Sequence, residues 1–121
     1  MKTINVILGS ISLLLTATLC ESRAEDAGET WNQYCVRCHG QDGKGQTKMG
    51  KKLRIKDLTA ATTKVRLTEK RIVETITEGK QDASGNERMP SFREKIPEDQ
   101  RRALAGFVRS LVESASLTNS E

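Results

Sequence analysis

The stretch Cys35-Val36-Arg37-Cys38-His39-Gly40 (CVRCHG) places two thiols next to the only histidine of the 121-residue chain. A tetrahedral zinc site needs four ligands, and the sequence supplies neither a second histidine nor another cysteine close by. A disulfide between Cys35 and Cys38 would close a very short loop and add little stability. The stretch therefore favours chemistry that uses two thiols and one imidazole side by side.

Covalent attachment of haem is such a chemistry. Cys35 and Cys38 lie about one helical turn apart, so each thiol can add across one of the two neighbouring vinyl groups of a haem. His39 can then ligate the iron, and C-x-x-C-H is the signature of c-type haem attachment. The sequence thus predicts one covalently bound haem c. A thioredoxin-type redox pair is the alternative, but it requires a βαβ pattern, and no alternating strand pattern is visible.

Helical periodicity surrounds this stretch. Residues 26–38 are predicted as an amphipathic helix that Gly40 ends. Its apolar face consists of Trp31, Tyr34, Cys35 and Cys38. Four glycines in residues 40–50 predict a loop with positive φ angles, or a close approach of backbone to a bulky group.

The second half of the chain predicts two more helices. Thr68 and Gly79 are the N-cap and the end of a helix over residues 68–78. Residues 80–88 are polar and loop-like, and Pro97 begins the last helix. The apolar stripe of that helix is Leu104, Phe107, Val108 and Leu111, and a frayed tail is expected after Glu113. The predicted fold is all-α, with three to four helices and long loops around one covalently attached haem.

The N-terminus predicts export. Lys2 precedes an apolar run that ends near Leu19 and falls short of a membrane span, and Ser22-Arg23-Ala24 offers small residues for cleavage. We interpret residues 1–24 as a secretory signal peptide and residues 25–121 as the single domain. The mature protein is expected in the periplasm, without stable membrane insertion. A net charge of +4 with no recognisable binding motif argues against a nucleic-acid partner.

One axial position of the iron still needs a ligand. A second histidine is absent, so the sulfur of a methionine is the natural choice, and Met/His ligation raises the reduction potential. Met49 follows His39 so closely that a short loop could hardly reach the opposite haem face. Met89 lies fifty residues on, in an extended segment before Pro90. The predicted cofactor-binding residues are therefore Cys35, Cys38, His39 and Met89, with His39 and Met89 as the iron ligands.

These residues resemble those of a known family. The segments WNQYCVRCHGQDGKG (residues 31–45), MPSF (89–92) and LAGFVRSL (104–111) are similar to class I monohaem cytochromes c of bacteria. The resemblance implies His39 as proximal ligand and Met89 as distal ligand. It also implies close crossing of the first and last helices, with Trp31 and Phe107 as their aromatics and Gly28 and Gly106 permitting the contact.

One departure from the family concerns the orientation of the haem histidine. Many members use the carbonyl of a proline that follows it, and the only prolines here are Pro90 and Pro97. A carbonyl within residues 49–54 is the expected substitute, since such bonds fix the ring and its tautomer.

The expected function is electron transfer by a one-electron carrier that is not an enzyme. The alternative is a haem-based ligand-binding or peroxidase-type module with an open distal iron position. Partners would be redox proteins: a dehydrogenase, a cytochrome complex or a terminal oxidase. Residues 44–56 contain six basic side chains and no carboxylate, and we call these six residues the basic cluster. The cluster either attracts an acidic partner or belongs to an ordinary solvated loop. They are Lys44, Lys48, Lys51, Lys52, Arg54 and Lys56.

Overall fold

Helices and one short hairpin make up the part of the chain that the structure describes. The structure is a computed structural model, and it describes residues 18–118, with side chains from Asp26 onward. The helices are α1 (Thr18–Tyr34), α2 (Val36–His39), α3 (Lys48–Lys52), α4 (Ala61–Lys64), α5 (Glu69–Glu78) and α6 (Glu98–Thr118). Strands β1 (Lys80–Gln81) and β2 (Glu87–Met89) pair antiparallel, with Lys80 opposite Met89. The all-α fold class is confirmed.

The predicted first helix is present but is broken at one residue. Cys35 forms a turn between α1 and α2, and its N–H still donates to the carbonyl of Trp31 at 2.8 Å. At the other end, α1 already includes residues 18–24, the last part of the predicted signal peptide. The rest of that segment lies outside the described residues, so cleavage after Ala24 stays a prediction.

The crossing of α1 and α6 forms one side of the core. The ring centroids of Trp31 and Phe107 are 5.6 Å apart. A Cβ on Gly28 would lie 3.8 Å from Phe107, so this glycine is at the contact, whereas Gly106 is exposed with nothing nearby. The expectation for Gly106 is therefore wrong. The buried core cluster is Trp31, Cys35, Ile72, Ile76, Phe92, Ile96, Leu104, Ala105 and Val108.

Helix α5 matches its sequence prediction at both ends. The Thr68 hydroxyl accepts a hydrogen bond from the N–H of Arg71, which satisfies one free donor of the first turn. Gly79 ends the helix with φ +73°, a conformation that glycine adopts without strain. Ile72 and Ile76 share the buried face of α5 and pack towards α6.

Two segments predicted as loops contain regular structure. Helix α3 begins within the glycine-rich segment, and the Thr47 hydroxyl caps it by accepting from the N–H of Gly50. The β1–β2 hairpin begins in the predicted loop of residues 80–88 and ends at Met89, and the Asp82 carboxylate accepts from the N–H groups of Ser84 and Asn86. Both elements depend on side chains that bond to backbone, and neither is long enough to produce a hydrophobic period.

The C-terminal helix is longer than the sequence predicts. The expected fraying after Glu113 is wrong, since α6 continues to Thr118. Ala115 and Ser116 are half-buried there, and the Lys64 ammonium donates to the Ser116 hydroxyl at 3.0 Å. This hydrogen bond from the last residue of α4 thus supports the last turns of α6. Among residues 18–118, no helix has both the length and the apolar character needed to cross a membrane.

A buried arginine attaches α6 to the segment before it. Arg101 is 9% exposed, and its Nη1 donates to the carbonyls of Ile96 at 2.5 Å and Arg93 at 3.0 Å. These carbonyls belong to the turn between Phe92 and α6. A buried charge is costly unless it is hydrogen-bonded, and here it supplies donors to backbone groups that need them. Arg101 therefore holds this turn against the last helix.

We expect Arg101→Met to lower the free energy of unfolding by about 1–3 kcal/mol, because two carbonyls lose their donor while most of the side-chain volume is kept. Arg102→Met is the matched control, since Arg102 is exposed on the same helix and forms an ion pair with the exposed Glu98. Its cost should stay below about 1 kcal/mol. Urea unfolding of both variants measures the difference, and equal losses would contradict the anchoring role.

Candidate functional site

The predicted attachment stretch forms a tight turn at the end of α1. The carbonyl of Cys35 accepts from the N–H of Cys38 at 3.1 Å and from the N–H of His39 at 2.9 Å. The indole of Trp31 donates to the carbonyl of Gly40 at 3.2 Å, in a buried position. One helical turn therefore carries both thiols and the imidazole, and Trp31 ties its end back to α1.

The following loop packs closely against this turn. Gly40, Gly43 and Gly45 all have positive φ, as the sequence predicts. A Cβ on Gly50 would overlap the carbonyl oxygens of Gly45 and Cys38, so only glycine allows α3 to approach. The glycines of this segment thus serve two purposes: three of them adopt positive φ angles, and Gly50 allows a close approach of backbone.

An apolar cavity of about 760 Å³ opens beside the attachment stretch. This volume lies within the range of about 300–1,000 Å³ that ligand pockets usually have. Its apolar lining comes from α1, α5, α6 and the segment between α3 and α5. These residues include Trp31, Leu53, Ile55, Leu58, Leu67, Ile72, Ile76, Leu104 and Val108. The core of the protein is therefore built around a space for an apolar body.

Three of the four predicted site residues line this cavity. Cys35, His39 and Met89 contribute to its wall, whereas the half-buried Cys38 does not. Met49, the rejected candidate for the second axial ligand, lies in α3 and is also absent from the lining. The structure thus brings together one thiol, the imidazole and the preferred methionine.

His39 has the state that metal ligation requires. Its ring centroid is 5.7 Å from that of Trp31, and burial lowers its pKa, which favours the neutral imidazole. Its Nδ1 is buried without a hydrogen-bond partner among the described residues. The expected carbonyl within residues 49–54 therefore does not bond the ring in this structure. An unpaired buried ring nitrogen fits a residue whose environment is completed by a bound group.

Cys35 favours the protonated thiol, whereas a redox-active cysteine favours the thiolate. Burial, and secondarily the charge of Cys38, raises the pKa of Cys35 to about 12. Redox-active cysteines have lowered pKa values, because the thiolate is the reactive species. These observations disfavour a thioredoxin-type pair.

The segment that carries Met89 is fixed by backbone contacts with the end of α5. The Ser91 hydroxyl donates to the carbonyl of Thr77 at 2.6 Å, and the N–H of Phe92 donates to the carbonyl of Ile76 at 3.0 Å. Gly79 approaches so closely that a Cβ on it would lie 2.5 Å from the carbonyl oxygen of Met89. Met89 is thereby held at the cavity wall.

Cations at the cavity were not predicted from the sequence. Among the described residues, six basic side chains line it, with Asp57 as the single acidic one. These are Arg54, Lys56, Arg66, Lys80, Arg71 and Arg88. They come from five separate elements or connecting segments, and only Arg54 and Lys56 belong to the basic cluster, so no motif could have indicated the group. Their charge suits an occupant that carries carboxylates.

Comparison with known proteins identifies the family. The family model described as cytochrome c oxidase, cbb3-type, subunit III matches residues 22–108. The chain belongs to this family of c-type cytochromes. A solved structure, the KustC0563 c-type cytochrome, is 31% identical to this cytochrome, with a TM-score of 0.63. The match covers 71% of this chain and 96% of that chain. No curated protein sequence matches.

Family membership agrees with the geometry of the site. This cytochrome carries covalently bound haem c and belongs to the haem-based electron-transfer proteins, which are typically exported. The residues present fit that group, since the cavity offers apolar walls, a thiol, a neutral imidazole with an unpaired nitrogen, and cations for the propionates.

Gly79 provides a test of how the Met89 segment is positioned. We expect Gly79→Ala to lower the free energy of unfolding by roughly 2–4 kcal/mol, because it adds a steric overlap with Met89 to the strain of a positive φ. Gly85→Ala is the matched control, since Gly85 has φ +81° and nothing lies within 4 Å of its Cβ position. Only the Gly79 variant should also change the visible spectrum of the haem. Identical stability losses would show that the contact with Met89 is unimportant.

Proposed function

We propose that this cytochrome is a one-electron carrier in which His39 and Met89 ligate the haem iron and Cys35 and Cys38 carry the thioether bonds. The observation that carries the proposal is that Cys35, His39 and Met89 line one apolar cavity while Met49 does not. Each thioether forms when a thiol adds across a vinyl double bond, sulfur to one carbon and hydrogen to the other. The addition needs no oxidant.

The bound haem supplies an iron that changes between two valences. His39 contributes a neutral nitrogen, and Met89 a thioether sulfur that favours the ferrous form and raises the potential. Trp31, Ile72 and Leu104 exclude water from the cavity wall, which also favours the less charged ferrous state. If His39 and Met89 both ligate the iron, no position would be left open for a substrate, and the proposed role is that of a carrier and not of an enzyme.

We further propose that the protein works in the periplasm after cleavage at Ala24. Its partners would be redox proteins such as a dehydrogenase, a cytochrome complex or a terminal oxidase. The family description names a subunit of an oxidase, which supports a partner of that last kind. The haem edge near Cys38 is the proposed route for electrons, because α3 with its lysines packs directly behind this residue.

The basic cluster supports an acidic partner. All six of its side chains are exposed, and none forms an ion pair with a carboxylate of residues 26–118. Arg54 and Lys56 also line the haem cavity. A patch of unpaired like charge beside the redox centre raises the encounter rate with oppositely charged molecules.

Substitution of the distal ligand tests the axial assignment. We expect Met89→Ala to lower the reduction potential and to let the ferrous protein bind carbon monoxide, which the parent should resist because its sixth position is filled. Met49→Ala is the matched control and should behave like the parent. Absorption spectra and redox titration measure both effects. A parent protein that already binds carbon monoxide would favour the ligand-binding or peroxidase-type alternative.

Charge neutralisation tests the role of the basic cluster. Lys48→Gln, Lys51→Gln and Lys52→Gln together should slow oxidation of the ferrous protein by ferricyanide about 2- to 10-fold at low salt, because an anionic oxidant loses its attraction. The difference should fade near 1 M salt, where the Debye length is about 3 Å. Stopped-flow absorption measures the rates.

Two controls separate steering from a general loss of charge. Removing three exposed cations elsewhere (Lys70, Lys95 and Arg109, each to Gln) should have a smaller effect. A cationic cobalt(III) oxidant should react faster with the cluster variant, since repulsion falls. Equal slowing of both oxidants would rule out electrostatic steering.

A further inference from the structure

Arg88 differs from the other five cations that line the cavity. Arg54, Lys56, Arg66, Arg71 and Lys80 are exposed, whereas Arg88 is half-buried, with 33% of its side chain accessible. An exposed side chain must lose rotamer freedom to bind a ligand, and a side chain that is already ordered does not. Arg88 is therefore the cation that is best prepared to bind a group in the cavity.

Two acceptors fix the guanidinium group of Arg88. Its Nε donates to Oδ2 of Asp82 at 3.1 Å, and its Nη1 donates to the carbonyl of Leu53 at 3.2 Å. The bond to Leu53 joins the β1–β2 hairpin to the end of α3. Arg88 thus connects the segment that carries Met89 with the segment that packs behind Cys38.

Asp82 is itself held in place and kept charged. Its carboxylate accepts from the backbone of Asn86 and Ser84 and from the side chain of Asn86. These hydrogen bonds, with that of the Asn86 backbone first, lower the pKa of Asp82, and Arg88 adds to the effect. Asp82 is therefore a fixed, charged acceptor that orients the guanidinium group of Arg88.

The remaining donors of Arg88 have no partner among residues 26–118. A guanidinium has five N–H groups in a planar fork that matches a carboxylate. Asp82 and Leu53 use two of them, and Nη2 makes no hydrogen bond to residues 26–118. We propose that Arg88, oriented by Asp82, binds a propionate carboxylate of the haem in the cavity. This inference rests on the proposed haem site but not on Met89 as an iron ligand.

The proposed contact has a defined effect on the iron. A fixed positive charge near the haem disfavours the more positive ferric state, and pairing with a propionate reduces a negative charge that would favour it. Both effects raise the reduction potential, so removal of Arg88 lowers it. The five exposed cations should have weaker effects, because solvent screens them.

The test compares variants that remove one charge from the same cavity. Arg88→Leu should shift the propionate bending mode in the resonance Raman spectrum of the haem-loaded protein. It should also lower the reduction potential by at least about twice as much as Arg71→Leu, the exposed control. Arg71→Leu should leave the Raman mode unchanged. An unchanged mode in Arg88→Leu, or the same shift in Arg71→Leu, would overturn the proposal.

Two further variants keep the proposal testable if Arg88→Leu folds poorly. Arg88→Lys retains the charge but not the planar fork, so it should shift the Raman mode with little change in potential. Asp82→Asn should shift the Raman mode part of the way, with little added effect on that mode once Arg88 is replaced. A normal mode in Arg88→Lys and Asp82→Asn would also overturn the proposal. Failure of the axial assignment is seen separately, as carbon monoxide binding by the parent.

Discussion

The cavity beside α1, α5 and α6 is the constraint on which the rest of the structure depends. A domain of this size buries little apolar surface, and its four aromatic side chains leave a space of about 760 Å³ in the core. Small domains usually need a disulfide, a metal or a cofactor to be stable. In the proposed assignment, Cys35 and Cys38 hold that cofactor in the core, so attachment of the haem would also complete the apolar packing.

Backbone packing fixes the two segments that carry the proposed iron ligands. On one side, Gly50 lets α3 press against the carbonyl of Cys38, and Trp31 ties Gly40 to α1. On the other side, Gly79 lies against Met89, and Arg101 anchors the turn that follows. Because both segments are fixed at several points, they can hold the ligands with little reorganisation when the valence changes.

The sequence predicted what is coded locally and missed what depends on distant contacts. The attachment stretch, the cap at Thr68 and the positive φ of Gly40 each follow from a few neighbouring residues. The cations at the cavity come from segments far apart in the chain, and only the fold brings them together. The hairpin depends on the Asp82 side chain, and the last turns of α6 depend on Lys64. Neither interaction leaves a period in the hydrophobic pattern.

Positive charge has two distinct uses in this protein, and burial separates them. The lysines of the basic cluster are exposed and unpaired within residues 26–118, so their field extends about one Debye length, roughly 8 Å at physiological salt, and acts on approaching molecules. Arg88 is half-buried and hydrogen-bonded on two sides, so its charge is screened less and acts on a group beside it. The basic cluster then determines a rate of electron transfer that depends on salt. Arg88 determines a reduction potential that hardly depends on salt. Substitutions in the basic cluster can therefore change which partner the protein binds without changing its reduction potential.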